Sequence, residues 1–258
     1  MFIMKHLNET TNVNILSQFD LGTGYQAVVQ KGNVGKKYVY ALQLRKGVTT
    51  ILRGYRGNKI NSPILKLSDQ AGGQTQTWEF AGNHKDINGN DRAGQWFVGV
   101  KPTKIQGSDI IWARQMARVD INTQAGPHAD NTDFPGLSYL NRAGANPYAG
   151  KVMTHAEAAV SPNYKKFLIA TIENNRIGHF TIYDLDKINQ ALDKSGKYKD
   201  VSLDGFEYED SFTINNLYGN AEDAVVNSIQ GYDLDNDGNI YISSQKSTRF
   251  RWLISCIS

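Results

Sequence analysis

Apolar residues along this chain fall in short runs divided by turn-forming residues, which is the pattern of many strands and few helices. Residues 26–30, 38–44 and 48–55 form three such runs, separated by Lys31-Gly32-Asn33 and Lys46-Gly47, and predict one antiparallel meander. Residues 75–80, 95–100 and 110–121 form a second group, with turns at Asn88-Gly89-Asn90 and at residues 106–109. Each of these runs carries one tryptophan, and Trp78, Trp96 and Trp112 are all expected to pack in the core. Residues 156–160, 167–172 and 177–183 predict a third meander. In its last run Gly178, Phe180 and Ile182 alternate with His179, Thr181 and Tyr183. Asp186 is placed to cap a short helix over residues 187–193, in which Ile188 and Leu192 share a face and Lys194-Ser195-Gly196 forms the stop. Residues 212–217 and 225–228 lead into a final strand. The stretch 122–150, rich in Gly, Pro and Asn, reads as a long irregular connection of the kind that carries binding surface.

Two of these units are near-copies. Setting Val160 against Tyr232, an offset of 72 residues, lays VSPNYKKFLIAT over YDLDNDGNIYIS in one register. Each half is a turn followed by a strand, with Ser161-Pro162-Asn163 and Asp235-Asn236-Asp237-Gly238 as the turns. Recurrence of such a unit predicts an all-β, β-propeller-like fold whose blades are small antiparallel sheets buried against their neighbours. At about 40 to 50 residues per blade the chain holds about five. The regular pattern stops at Lys246, so residues 1–246 are expected to form a single propeller-like domain that is incomplete at its C-terminus. Residues 247–258, STRFRWLISCIS, lack both period-two order and a turn residue and read as an out-of-frame tail.

Composition narrows the function without naming it. The 258 residues include 24 glycines, 13 tyrosines and 10 phenylalanines, which suits short strands and tight turns. The net charge of +3 includes Arg249 and Arg251 of the tail, and without them it falls to +1. That balance argues against nucleic acid as a partner, because such binding rests on clustered cations. The basic residues between Arg45 and Arg56 alternate with apolar ones and read as a solvated strand face. Cys256 is the single cysteine, so no disulfide framework is available within the chain. No apolar stretch approaches a transmembrane span, and no signal peptide is recognisable at the N-terminus.

Candidate chemistry is sparse. Asp233, Asp235, Asp237 and Gly238 match the opening of a calcium loop, but Ser244 stands where the bidentate glutamate belongs, so a plain Asp/Gly turn competes with a metal site. Calcium is the one cofactor this pattern admits. His155 and Glu157 form an H-x-E without the cysteines of a zinc deaminase, and a local role with Thr154 in strand-edge hydrogen bonds is the better reading. The pairs Glu207 with Glu209 and Asp184 with Asp186 offer a glycosidase two carboxylates, although acidic pairs beside turns are usually solvated. No catalytic constellation emerges, and the balance is against an enzyme.

Long strings then carry a resemblance. GYQAVVQKGNVG, QTWEFAG, AGQWFVGVKP, MTHAEAAVSP, IGHFTIY and NSIQGYDLDNDGNIYISSQK closely resemble the helveticin J family of large heat-labile bacteriocins of lactobacilli, from Met4 to Lys246. The resemblance implies a secreted antibacterial protein that kills related Gram-positive bacteria, and it brings no catalytic residue with it. Family members continue past Lys246, which adds to the expectation of a truncated chain. The implied partners are a component of the target-cell envelope, glycan or wall polymer, and an immunity protein. The favoured mechanism is binding. The rivals are a peptidoglycan hydrolase with carboxylates in a central funnel, and a non-toxic adhesin or inactive remnant.

Overall fold

The computed structural model describes residues 4–6, 17–104, 111–196, 199–220, 222–246 and 251–257. These residues form mostly antiparallel sheets with one short α-helix. Four sheets of four or five strands succeed one another along the chain, with one two-stranded ribbon beside them.

The first sheet is built in chain order from Lys31–Val34, Tyr38–Arg45, Val48–Tyr55 and Ser62–Leu67. The second runs from Trp78–Phe80 through Gln95–Lys104 and Ile111–Asp120 to Gly136–Ser138. The third is the meander Met153–Val160, Lys166–Glu173, Gly178–Asp184 and Asp210–Ile214. The fourth pairs Gly231–Leu234 with Ile240–Lys246 and then with Arg251–Ile257, whose far edge takes up Met4–His6. Part of the segment read as an out-of-frame tail is therefore a paired strand by backbone, while residues 247–250 and 258 lie outside the described residues.

Alternation along the strands explains how the sheets pack. On the second sheet Phe97 and Met116 face the third, whereas Trp96, Val98, Ala117 and Val119 face the first. On the third sheet Phe167 and Ile169 face the second, and Leu168, Ala170 and Ile172 face the fourth. Both faces of the middle sheets are covered, which is why residues 167–172 read as an unbroken apolar run. Trp78 and Trp96 stack in the first interface, 4.8 Å apart at 5°.

Several boundaries differ from the sequence reading. Lys31-Gly32-Asn33, read as a turn, is the first strand of its sheet, and no strand covers residues 26–30. Gln43 explains the difference: its side chain donates to the carbonyls of Tyr25 and Ala27 and holds that stretch as a loop. The helix is Leu185–Ser195, and its cap is Asp184 instead of Asp186, with Oδ1 accepting from the Lys187 amide. Ile188 and Leu192 are buried as the spacing predicts. Residues 225–228 make only an isolated bridge from Val226 to Tyr218. The described residues form four large sheets and not about five units, because excursions such as the helix and residues 122–150 lengthen each one. That stretch is less irregular than it reads. Gly126–His128 joins the first sheet, Gly136–Ser138 joins the second, and Phe134, Leu137 and Leu140 are buried.

Candidate functional site

The first strands of the four sheets meet at one cleft of about 650 Å³. Its walls come from residues 29–34, from Glu79 and Phe80, from residues 160–162 with Tyr164, and from residues 230–233 with Tyr241 and Ser243. Lys31 ties this junction together. Its ammonium lies 2.8 Å from Glu79 Oε1 and 3.0 Å from Asp233 Oδ1, and it donates to the Tyr232 carbonyl at 2.9 Å. One side chain of the first sheet thus holds the second and the fourth.

Glu79 and Lys31 are both nearly buried, while Asp233 is exposed. Burial pushes the Glu79 carboxyl up to about 7, against the opposing pull of Lys31. Burial would lower the Lys31 pKa, but Glu79 and Asp233 outweigh it and hold the ammonium charged above its ordinary range. The cleft is accordingly a polar mouth over a buried ion pair, with Phe80, Tyr164 and Tyr241 supplying aromatic surface. The Phe80 and Tyr164 rings meet edge to face at 5.5 Å.

Deeper along the same strands lies a second carboxylate. Glu157 is buried, and its Oε2 accepts from Thr75 Oγ1 at 3.1 Å, from the Gln76 amide at 2.9 Å and from Thr77 Oγ1 at 2.6 Å. Burial nevertheless pushes it up to about 7. Sequence reasoning singled out Glu157 only as half of an H-x-E and missed Glu79, Lys31 and the threonines. One available signal was the unusual polarity of residues 74–77, four consecutive Gln and Thr next to a strand.

His155 lies two residues before Glu157 and on the same side of the strand. Its ring stacks on Trp112 at 4.5 Å and 27°, and burial holds its pKa down to about 4, so it is neutral at physiological pH. Thr154 Oγ1 donates to the Ile172 carbonyl at 3.0 Å, as the strand-edge reading supposed. Trp78 and Trp96 are core residues, but Trp112 is half-buried and lines a separate pocket.

Two of the three aspartates of the calcium pattern are engaged by protein groups. Asp233 turns to Lys31. Asp235 is filled by donors: Oδ1 accepts the amides of Asp237, Gly238 and Asn239 at 2.8–2.9 Å, and Oδ2 accepts Asn239 Nδ2 and the Tyr241 hydroxyl. Asp86 is satisfied in the same way by Asn88, Asn90 and Arg92 in the turn between residues 85 and 91. Among the described residues no group of three or more His, Cys, Asp and Glu side chains is arranged to hold a metal ion. The paired carboxylates considered for glycoside cleavage lie on the surface beside cations or a helix end. Glu207 meets Lys187, Glu209 meets Lys166, Asp186 meets Lys165, and Asp184 caps the helix.

No described helix is long and apolar enough to cross a membrane. Comparison with known proteins adds what the geometry alone does not supply. The family model described as bacteriocin helveticin-J matches residues 9–255. Bacteriocin helveticin-J of Lactobacillus helveticus is 75% identical over 247 residues, which are 96% of this chain and 74% of that protein. With the match running through all four sheets and both buried carboxylates, the chain belongs to the helveticin-J family of bacteriocins.

Proposed function

We propose that this bacteriocin acts outside the producing cell and kills related Gram-positive bacteria by binding a saccharide of the target envelope in the cleft over Lys31 and Glu79. The observation that carries the binding step is the lining of that cleft. Amides and hydroxyls of Gln30, Asn33, Gln230 and Ser243 stand beside the rings of Phe80, Tyr164 and Tyr241. A few polar groups that fix orientation, set among aromatic surface, suit a ligand that is hydroxylated on its edges and apolar on its faces. The Lys31–Glu79 pair cancels its own charge and leaves Asp233 at the rim.

We further infer that the four sheets are blades of a propeller-like assembly. Support comes from their common build, in which the innermost strand of each sheet lines the cleft and later strands follow outward in chain order, save that Met4–His6 takes the outer edge of the fourth. Binding sites at the convergence of blades draw on every unit, which matches the spread of the lining residues from 29 to 243.

The test uses the exposed Tyr164, which contributes little to the core. Y164A and N33A are compared with the unaltered protein for sedimentation with purified lactobacillus walls and for loss of viable counts. Both activities are expected to fall together while the far-ultraviolet circular dichroism stays the same. Killing by both variants at the unaltered level would refute the cleft as the binding surface. Release of soluble muropeptides from the walls would instead favour a hydrolase.

A further inference from the structure

A second pocket of about 590 Å³ lies away from the cleft and is lined by Trp112, Thr154, His155, Asn174, Tyr218 and Asn227, among others. The two sites sit toward opposite ends of the same inner strand. Met153–Val160 enters beside this pocket at Thr154 and His155 and leaves beside the cleft at Val160. Five residues of extended chain separate His155 from Val160, about 17 Å. Residues 227–229 and 230–233 repeat the order on the fourth sheet, the former at the pocket and the latter at the cleft. Between the two ends Glu157 is fastened to Thr75, Gln76 and Thr77, so the sites are divided by a hydrogen-bonded plug.

We propose that this pocket is a second binding site, which takes a neutral sugar residue stacked on Trp112. Three features carry the assignment. Trp112 is the one tryptophan of the three central runs that leaves the core, and its ring is held in place by the stacked His155. The side-chain amides of Asn174, Asn220 and Asn227 line the same pocket without a hydrogen-bond partner among the described residues, so each can both donate to and accept from a hydroxyl. The lining holds no Asp, Glu, Lys or Arg, and burial keeps both of its perturbed titratable rings uncharged, lowering the pKa of His155 and raising that of Tyr218. A neutral, hydroxyl-rich ligand with an apolar face fits that set. The buried His155 Nε2, which has no protein partner, is a further polar group at this end of the strand.

The test titrates the whole protein with tri-N-acetylchitotriose, lactose, maltotriose and methyl rhamnoside, following saturation-transfer NMR and tryptophan fluorescence. Saturable binding of at least one sugar is expected, weakened by about tenfold or more in W112L, since lost aromatic contact of this kind is worth a kcal/mol or more. N227A, which removes a side chain that makes no hydrogen bond among the described residues, is expected to weaken it as well, and covers the case in which W112L misfolds. Whatever Y164A and N33A take away at the cleft, they should leave the W112L-sensitive part of the binding unchanged, so this site stands or falls apart from the cleft. Binding of none of the four sugars, or equal binding by W112L and N227A, would overturn the proposal. Loss of binding in Y164A alone would place the sugar in the cleft and overturn it too.

Discussion

Replacing Glu157 with glutamine should make the protein more stable in base and nearly indifferent in acid. The carboxyl is buried, its folded pKa is about 7 and its ordinary value is 4.5. A carboxyl whose pKa is raised by folding binds more protons folded than unfolded between those values, so stability is present at low pH and lost as pH climbs toward the folded pKa. Worked through the linkage relation, this one group costs about 1 kcal/mol at pH 5 and about 3 kcal/mol at pH 8, a loss of about 2 kcal/mol across the interval. Glutamine keeps a carbonyl oxygen to accept from the Gln76 amide and the threonine hydroxyls, and it does not titrate. Urea denaturation of both proteins at pH 5, 6, 7 and 8, followed by tryptophan fluorescence, gives the comparison. Glu79 is raised in the same sense, and it remains in both proteins, so the difference between the two curves isolates Glu157. Curves that stay parallel from pH 5 to pH 8 would refute the reasoning, because they would mean that Glu157 is not forced toward its neutral form by the fold.

Other substitutions probe the same architecture. K31M strands the buried Glu79 and should cost about 3 kcal/mol at pH 8 and less at pH 5, where Glu79 can neutralise itself; equal losses in guanidinium melts at the two pH values would contradict this. D235A removes the acceptor for three backbone amides and should cost about 2 kcal/mol in a thermal or urea melt. Because that carboxylate faces donors on both oxygens, exchanging calcium for EDTA should leave the melting temperature of the unaltered protein where it is. A rise on adding calcium would restore the metal reading of Asp233, Asp235 and Asp237. G99V should destabilise by about 3 kcal/mol, since even a Cβ at Gly99 would lie 2.5 Å from Thr75 Oγ1 and 2.7 Å from Ala113 Cβ; wild-type stability of purified G99V would show that Gly99 is not packed against Thr75 and Ala113 as described.

How much of this was legible depended on whether the cause was local. The first three strands of the third sheet could be read because each obeys its own period and ends at its own turn, Asn163 at one end and Asn174-Asn175 at the next. The helix could be read from Ile188 and Leu192, yet its cap was misplaced by two residues because Asp184 and Asp186 are equally good caps until the chain direction out of the preceding strand is known. Lys31-Gly32-Asn33 looked like a turn because its strand character is imposed from outside, by pairing with residues 40–42 and by the ion pair across to Glu79.

The site failed to show for the same reason, carried further. Lys31 and Asp233 are 202 residues apart in sequence, and Glu157 lies 80 or more from each threonine that holds it. No window along the chain contains such a cluster, and a lone Glu or Lys in a strand-like run carries no mark of burial. What the sequence did show was the cost of these groups to a simple pattern: Glu79 interrupts Trp78 and Phe80, and Glu157 interrupts a run of alanines. A charged residue at the centre of a strand buried on both faces must find a partner or lose its charge. Glu79 does the first, with Lys31, and Glu157 comes nearer the second. In a chain whose four large sheets each present a strand to one cleft, that requirement makes mid-strand charges on those strands markers of the cleft itself. By the same rule Trp112, a large ring that lies against an imidazole instead of an aliphatic neighbour, marks the place where core packing gives way to a pocket.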